Sequence, residues 1–302
     1  MSSPARTLVS SLAWWSRIFW EFVESDFLTF AVPNSIFGII GAAAGTSAGL
    51  VSGPHLSPVD ILKRCPTVLL FNGYNLLIFD LANQRSPESV AEDRANKPWR
   101  PIPSGKITPE QTRQAILCLV PVALWLNYSL NVWNEGLLIQ LFSWYYNDLR
   151  AGDSVFRDAI IAVSYGLFNL GSLRLAIGPH NSVAPRGHAW TAFISAVILT
   201  TMHIQDLKDQ EGDRQRSRKT VPLVFGDGVA RLALAFCVLF WSCACASFWQ
   251  LTWHSCAVPL CLSGFIAWRV LTKRESRDDA RTWRLWCLWH SMLYAVPLFG
   301  GA

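Results

Sequence analysis

The sequence predicts an all-α protein that crosses a membrane several times. Only 16% of its 302 residues are charged, whereas about 25% of the residues in a soluble domain are charged. Apolar residues make up 51% of the chain, which includes 15 Trp and 17 Phe. These apolar residues gather into long runs that are separated by short charged segments. The composition excludes a disordered chain, which would be poor in hydrophobic residues, and it indicates a surface that faces lipid.

The first predicted element is an amphipathic helix over residues 11–23. Its apolar side chains recur at helical spacing on one side, as in a helix that lies in the membrane interface. We therefore assign residues 1–26 to an N-terminal interfacial segment and residues 27–302 to a transmembrane domain. The start lacks the pattern of a cleavable signal sequence, so none is expected. The apolar side is formed by Leu12, Trp15, Phe19, Phe22 and Val23.

Nine apolar runs follow, and each predicts a membrane-spanning helix. A helix that crosses a bilayer needs about 20 mostly apolar residues, and the fourth, sixth and eighth runs are shorter than this. The runs cover residues 27–51, 59–82, 108–130, 135–147, 155–176, 189–204, 229–253, 257–270 and 283–299.

The distribution of positive charge supports this count of spans. If nine spans are correct, all but four of the 26 Lys and Arg fall on one face of the membrane; the four exceptions are Lys63, Arg64, Arg174 and Arg186. Lys and Arg accumulate on the cytoplasmic side of membrane proteins. We therefore expect a multi-pass integral membrane protein, in the endoplasmic reticulum, with its charged face towards the cytosol.

Two acidic clusters lie on that same face. The first follows the second span and contains Glu88 and Glu92 one turn apart, next to Asp93. The second ends the sixth span, where Asp206, Asp209 and Asp213 would share one stripe of a continuing helix. Like charges at this spacing are destabilising unless something neutralises them. Clustered oxygen ligands favour Mg²⁺ over zinc, so the sequence predicts a magnesium site.

A magnesium site of this kind points to a phosphorylated substrate. Mg²⁺ binds one or two carboxylates together with the oxygens of a substrate phosphate, and Lys or Arg side chains cover the remaining oxygens. An apolar cavity beneath the magnesium site would hold a long hydrocarbon. A prenyl diphosphate therefore matches both the charged part and the apolar part of the predicted site. The alternative is that these acids are solvated loop charges at the membrane surface. The expected diphosphate-binding residues are Lys97, Arg100, Arg150 and Lys219.

Both segments resemble motifs of the UbiA superfamily of intramembrane prenyltransferases, and the resemblance extends over nearly the whole chain. It implies about nine transmembrane helices in a horseshoe around a central cavity, with both motifs beneath a cytoplasmic cap. The second motif reads Asp206-x-x-Asp209-x-x-Gly212-Asp213, followed by Lys219-Thr220-x-Pro222. The tail of the first reads Asp93-x-x-Asn96-Lys97-Pro98-x-Arg100-Pro101-x-Pro103-Ser104-Gly105.

The first motif departs from the family pattern. The usual form is Asn-Asp-x-x-Asp-x-x-x-Asp, whereas here Gln84 follows Asn83 and the acids are shifted in type and spacing. Ser217 also stands where the family usually has Gly. This variant is similar to a fungal branch that includes membrane-bound terpene cyclases. The resemblance implies a catalytic set of Asn83, Glu92, Asp93, Asp206, Asp209 and Asp213, and a metal-ligand set of the same residues with Glu88.

The favoured function is Mg²⁺-dependent ionisation of a prenyl diphosphate and cyclisation of the carbocation in secondary metabolism. The resemblance favours farnesyl diphosphate as the substrate. An alternative is transfer of the prenyl group to an aromatic or polyketide-like acceptor. A third is a transporter of an anionic lipid, which would not need two carboxylate stripes. Aromatic side chains that stabilise a carbocation are sought among Phe71, Tyr74, Phe79, Trp144, Tyr145, Tyr146, Tyr165 and Phe168.

Polar residues within the predicted spans need an explanation, because burying them in lipid is unfavourable. We expect Asp80 to face the mouth of the cavity, Asn169 to bond to a neighbouring helix, and His203 to be a packed neutral histidine. The basic residues follow the membrane boundary and need no other partner. The expected partners are therefore the prenyl diphosphate and the bilayer, with no nucleic acid and no protein partner.

Overall fold

The computed structural model describes residues 4–300, and every long element in that range is an α-helix. A π-helical turn, Phe27–Ala31, connects the first two helices, and β1 (Val51–Ser52) pairs antiparallel with β2 (Ser182–Val183). The helices are α1 Pro4–Asp26, α2 Val32–Ala44, α3 Pro58–Gln84, α4 Pro87–Asn96, α5 Pro109–Ser129, α6 Trp133–Asn147, α7 Arg157–Ile177, α8 Pro185–Thr201, α9 Ile204–Leu207, α10 Gln210–Gln215, α11 Val221–Phe225, α12 Asp227–Phe248, α13 Trp253–Thr272 and α14 Ser276–Ala295.

The helical, multi-span class that the sequence predicts is confirmed. A helix overlaps each of the nine predicted apolar runs. Within residues 4–300, however, five helical stretches are long and apolar enough to cross a membrane. The number of crossings and the identity of the cytosolic face therefore stay predictions. The five stretches are Ala13–Ala44, Pro58–Gln84, Arg157–Ile177, Asp227–Phe248 and His254–Thr272.

The N-terminal helix α1 packs against the rest of the protein and also exposes apolar side chains. Ile18 and Phe22 are buried in one cluster with Leu81 of α3 and Ile107, while Trp14 and Trp20 are exposed. The helical stretch Ala13–Ala44 continues through residue 26, so the boundary of the interfacial segment stays a prediction. Of the predicted apolar side, Leu12 lies outside the side chains that the structure describes.

Close helix packing in the centre depends on small residues. Gly38 of α2 lies against α7, and a Cβ atom at this position would come within 2.4 Å of the backbone carbon of Ser172. Asn72 of α3 also links α2 to α7, because its side-chain amide donates to the hydroxyls of Ser35 (2.9 Å) and Ser172 (2.8 Å). Small residues allow helix backbones to approach closely in membrane proteins.

Gly38→Ala is therefore expected to destabilise the protein. The added methyl group meets backbone rather than a mobile side chain, and overpacking of this kind costs about 1–3 kcal/mol. Thermal unfolding in detergent should show a clearly lower Tm. Gly264→Ala on α13 is the matched control, because an added Cβ there has nothing within 4 Å and Ala is the better helix former. An unchanged Tm for Gly38→Ala would contradict the close contact.

Candidate active site

A cavity of about 460 Å³ lies where the two acidic segments meet. Its size falls within the range of small-molecule sites, roughly 300–1,000 Å³. Charged groups from α1, α3, α4, α7, α14 and the segments that follow α4 and α8 line part of it, and apolar, aromatic and uncharged polar side chains line the rest. The charged lining consists of Asp26, Asp80, Glu92, Asp93, Lys97, Arg100, Arg157, Lys208, Asp209, Arg216, Arg218 and Arg284.

The first motif contributes both acids and cations to this cavity. Asn83, Glu92 and Asp93 line it, together with Lys97 and Arg100. Asp93 is buried, and both of its carboxylate oxygens accept from Nη1 of Arg100, at 3.0 and 2.9 Å. The tail of the first motif therefore folds back, and its Arg100 pairs with Asp93 of the same motif.

Glu88 and Arg150 lie outside the cavity lining of the described residues. Arg150 Nη1 donates to Glu88 at 3.0 Å, and both side chains are exposed. Glu88 and Glu92 lie one turn apart on α4, as predicted, but they make ion pairs with different partners. The structure therefore does not bring Glu88 or Arg150 into the site that the sequence predicts for them.

The second motif is not carried by one continuous helix, which corrects the expected single stripe. The chain forms the separate short helices α9 and α10, and Asp209 is the non-helical N-cap between them (φ −107°, ψ 8°). Asp209 lines the cavity. Asp206 and Asp213 are buried behind the lining, 2% and 1% exposed. The three aspartates therefore do not share one helical stripe, and Asp209 alone of the three lines the cavity.

Each of the two buried aspartates has one paired and one free oxygen. Arg157 Nη1 donates to Asp206 Oδ1 at 2.7 Å, and Arg218 Nη1 donates to Asp213 Oδ1 at 3.1 Å. The Oδ2 atoms of both carboxylates are buried and have no hydrogen-bond partner in the part of the chain that the structure describes. A buried acceptor without a partner is unfavourable, so these two oxygens are suited to receive a cation.

Arginines join the two motifs. Arg216 donates to the Ser89 hydroxyl at 2.7 Å and to Glu92 at 3.4 Å, and Arg218 lies 3.6 Å from Glu92. Between them, Ser217 adopts φ 58°, the left-handed region that favours glycine. The usual glycine at this position is explained by that turn. The structure thus brings together the two segments that the sequence analysis paired.

The cations of the site differ in part from those that the sequence predicts. Lys219 is exposed, and its backbone N–H donates to the Asp153 carbonyl at 2.9 Å. Arg157, Arg216 and Arg218 line the cavity instead. Residues 214–218 are rich in arginine, so the sequence could have indicated Arg216 and Arg218 as binding residues. No sequence pattern indicates Arg157, because it is the first residue of α7 and lies far from both motifs in the sequence.

Burial controls the protonation of the acids. Burial raises the pKa of Asp206 to about 7, against the opposing effect of Arg157, and it also raises the pKa of Asp93 and Asp213. Burial alone would raise the pKa of Asp153 as well, but Arg216, Arg150 and Arg218 offset it and hold that pKa below its usual range. The arginines thus outweigh burial at Asp153, whereas burial outweighs the arginines at Asp93, Asp206 and Asp213.

The donor set fits Mg²⁺ that arrives with a phosphorylated ligand. Within residues 4–300, no three His, Cys, Asp or Glu side chains form a ready-made metal cage. Mg²⁺ rarely uses such a cage, since it takes one or two carboxylates and completes its shell with phosphate oxygens and water. The free oxygens of Asp206 and Asp213, and Asp209 on the cavity wall, supply carboxylates of the required kind.

Aromatic rings form part of the cavity lining. Phe30 stands edge-on to Tyr165 and Phe168, at centroid distances of 4.6 and 4.7 Å. Among the predicted candidates, Phe71 and Tyr74 lie outside the lining, and Trp144 and Tyr145 are exposed. Phe30 and Trp283 were not predicted. The aromatic lining consists of Phe30, Phe79, Tyr146, Tyr165, Phe168 and Trp283.

The polar residues within the predicted spans behave as expected. Asp80 lines the cavity. The amide of Asn169 on α7 donates to the Tyr294 hydroxyl of α14 at 3.4 Å, which is a helix-to-helix hydrogen bond. His203 is buried, with Nε2 3.2 Å from the Ala230 carbonyl. His203 therefore contacts the backbone and does not orient a carboxylate.

Comparisons with known proteins agree with this architecture. Residues 34–291 match the UbiA prenyltransferase family. The diterpene cyclase eriG of Hericium erinaceus is 30% identical, over 94% of this chain and 88% of that protein. The polyprenyl transferase eriF of the same organism is 30% identical, over 88% of each chain. A UbiA homolog from Archaeoglobus fulgidus, solved with GPP and Mg²⁺, shares the fold at a TM-score of 0.61 and 14% identity, over 93% of this chain and 99% of that one.

Proposed function

The chain belongs to the UbiA prenyltransferase family, and we propose that it is a Mg²⁺-dependent membrane enzyme that ionises a prenyl diphosphate and cyclises the carbocation to a terpene hydrocarbon. One observation carries the proposal: residues of both acidic segments, a set of arginines and six aromatic side chains line a single cavity. A diphosphate with a hydrocarbon tail matches both parts of that lining. Farnesyl diphosphate is the favoured substrate.

The diphosphate would be held by the cavity-lining cations. Lys97 and Arg100 come from the first motif, Arg157 from α7, and Arg216 and Arg218 from the second motif. Guanidinium groups bind phosphate oxygens with paired, charge-assisted hydrogen bonds. Arg100, Arg157 and Arg218 are paired with motif carboxylates. When a metal binds one of these carboxylates, the arginine that was paired with it would become free to bind a phosphate oxygen of the diphosphate.

The metal would be held by acids and an amide from both motifs. Bound Mg²⁺ supplies electron withdrawal from the diphosphate, which weakens the allylic C–O bond. Arginine donors aimed at the diphosphate stabilise the negative charge that develops when the bonding electron pair leaves with it. The proposed ligands are drawn from Asn83, Glu92, Asp93, Asp206, Asp209 and Asp213.

The aromatic wall supports cyclisation of the carbocation. Each aromatic face near a cation contributes about 0.5–2 kcal/mol, and several rings along the wall would stabilise a charge that moves as the chain folds. A cyclase needs no second substrate, because the double bonds of the chain itself attack the cation. The similarity to the diterpene cyclase eriG supports the same choice.

Incubating the purified protein with farnesyl diphosphate and Mg²⁺ alone is expected to release pyrophosphate and a volatile cyclic hydrocarbon. Gas chromatography with mass spectrometry identifies the hydrocarbon, and a coupled assay follows pyrophosphate. Addition of excess EDTA should abolish both products, because the diphosphate then lacks its electron-withdrawing partner. Parallel reactions with C10 and C20 diphosphates determine the chain length. Recovery of all three diphosphates unchanged would contradict cyclisation.

Prenyl transfer is the second candidate function. It is favoured by the similarity to the polyprenyl transferase eriF, at the same 30% identity as the cyclase. In the same assay, a transferase would release pyrophosphate efficiently only after an aromatic or polyketide-like acceptor is added, and the product would carry the prenyl group. The assay therefore separates the two functions with one protein preparation.

A further inference from the structure

A buried carboxylate on α3 has no role in the site described so far. Asp80 is fully buried, and neither of its carboxylate oxygens has a hydrogen-bond partner among the described residues. It nevertheless lines the cavity. A buried carboxylate without a hydrogen-bond donor is strongly unfavourable, because it has lost its hydration. Arg100 and Lys97 act on Asp80 electrostatically but donate no hydrogen bond to it, so its oxygens are available to a directly bound cation.

A second carboxylate increases the negative charge at this place. Asp26, the last residue of α1, also lines the cavity and repels Asp80 electrostatically. The nearest arginine is already engaged: Arg100 makes both short contacts with Asp93 and stays 3.9 Å from Asp26. Asn83 lies one helical turn after Asp80 and lines the same cavity, so its side chain shares a face with Asp80.

The altered first motif explains why a carboxylate is needed here. Gln84 stands where the family pattern has Asp after Asn, and its side chain is buried and donates to the Phe22 carbonyl at 2.8 Å. Gln84 thus ties α3 to α1 and does not line the cavity. Glu88 points to Arg150 outside the lining. The positions after Asn83 therefore provide no acid for the cavity until Glu92.

We propose that Asp80, together with Asn83 and Asp26, binds the divalent cation of the first motif in this protein. The ligand set has moved one helical turn towards the start of α3, and α1 contributes to it. The inference rests on the proposed function, because the cation would enter with the diphosphate. The ligands are all oxygen atoms, two carboxylates and an amide, which is the donor type that Mg²⁺ and Mn²⁺ take.

Mn²⁺ binding in the presence of inorganic pyrophosphate tests this assignment without catalysis. Free Mn²⁺ is measured by its EPR signal during titration of the purified protein. Asp80→Asn is expected to weaken Mn²⁺ binding by at least about tenfold, because an amide replaces an anionic ligand. Asp60→Asn is the matched control: Asp60 is exposed on the first turn of the same helix, where it bonds to Ser57. That variant should bind Mn²⁺ like the wild type.

Thermal unfolding separates loss of a ligand from loss of folding. Without metal, Asp80→Asn should have a Tm equal to or above that of the wild type, because an unpaired buried charge is removed. With Mn²⁺ and pyrophosphate, the rise in Tm seen for the wild type should be reduced in Asp80→Asn and intact in Asp60→Asn. Wild-type affinity in a folded Asp80→Asn protein would overturn the inference and leave the proposed function standing. Absence of Mn²⁺ and pyrophosphate binding by the wild type would overturn both.

Discussion

Asp206→Asn is expected to reduce pyrophosphate release by roughly 10³-fold, the range seen when a group that stabilises transition-state charge is lost. Asp206 is buried with one oxygen paired to Arg157 and the other free. The substitution keeps the shape of the side chain and removes the negative charge that would hold the metal. The measurement is kcat with farnesyl diphosphate at saturating Mg²⁺.

A charge-neutralising change elsewhere on the molecule controls for general effects. Glu110→Gln affects an exposed acid whose ion pair is with Arg113 on the same helix turn, and such exposed pairs contribute little to stability. This variant should keep wild-type activity. If a folded Asp206→Asn protein keeps more than a tenth of wild-type activity, Asp206 does not hold the metal.

Arg157→Gln is expected to lower kcat/KM by roughly 30- to 150-fold, which corresponds to the loss of about 2–3 kcal/mol from hydrogen bonds to a charged partner. Arg157 lines the cavity, and it donates to Asp206 at 2.7 Å and through Nε to the Tyr146 hydroxyl at 3.0 Å. Its removal takes a cation from the diphosphate and leaves Asp206 without its ion pair. Arg157→Lys should recover part of the activity, because it keeps the charge without the paired geometry.

Arg150→Gln gives the matched comparison. The sequence predicts Arg150 as a diphosphate ligand, whereas the structure places it outside the cavity lining, in exposed ion pairs with Glu88 and Asp153. We expect a change of about threefold or less, as for other exposed ion pairs. Equal losses for Arg150→Gln and Arg157→Gln, with both proteins folded, would show that the diphosphate binds at the rim rather than in the cavity.

The local patterns in the chain were enough to predict the class of the protein and the segments that form its site. Apolar runs of membrane length predict helices, because a lipid-facing backbone must satisfy its hydrogen bonds within the helix. Motif spacing then identifies residues 83–105 and 206–222 as one paired site. Most of the predicted motif residues line the cavity or lie directly behind it, since Asp93 and Asp209 follow apolar runs that end at the same face.

The direction of individual side chains was not predictable in the same way. Glu88 and Glu92 have the same charge and share a helix, yet they make ion pairs with different partners. Asp209 leaves the expected stripe because the helix breaks there. Arg157 and Phe30 reach the cavity from elements remote from both motifs in sequence. These positions depend on how helices rotate and cross, which spacing along one chain segment does not encode.

The amino-acid sequence by itself was therefore enough to predict the helical, multi-span class of this protein and the two acidic segments on which the proposed magnesium diphosphate site rests. Composition and spacing are local properties, and they are sufficient for those conclusions. Only the tertiary structure decided which cations and rings face the cavity, that Gln84 is bound to α1, and that Asp80 is left without a partner. The physical reason is that burial and pairing are set by contacts between distant segments, which exist only once the helices have packed.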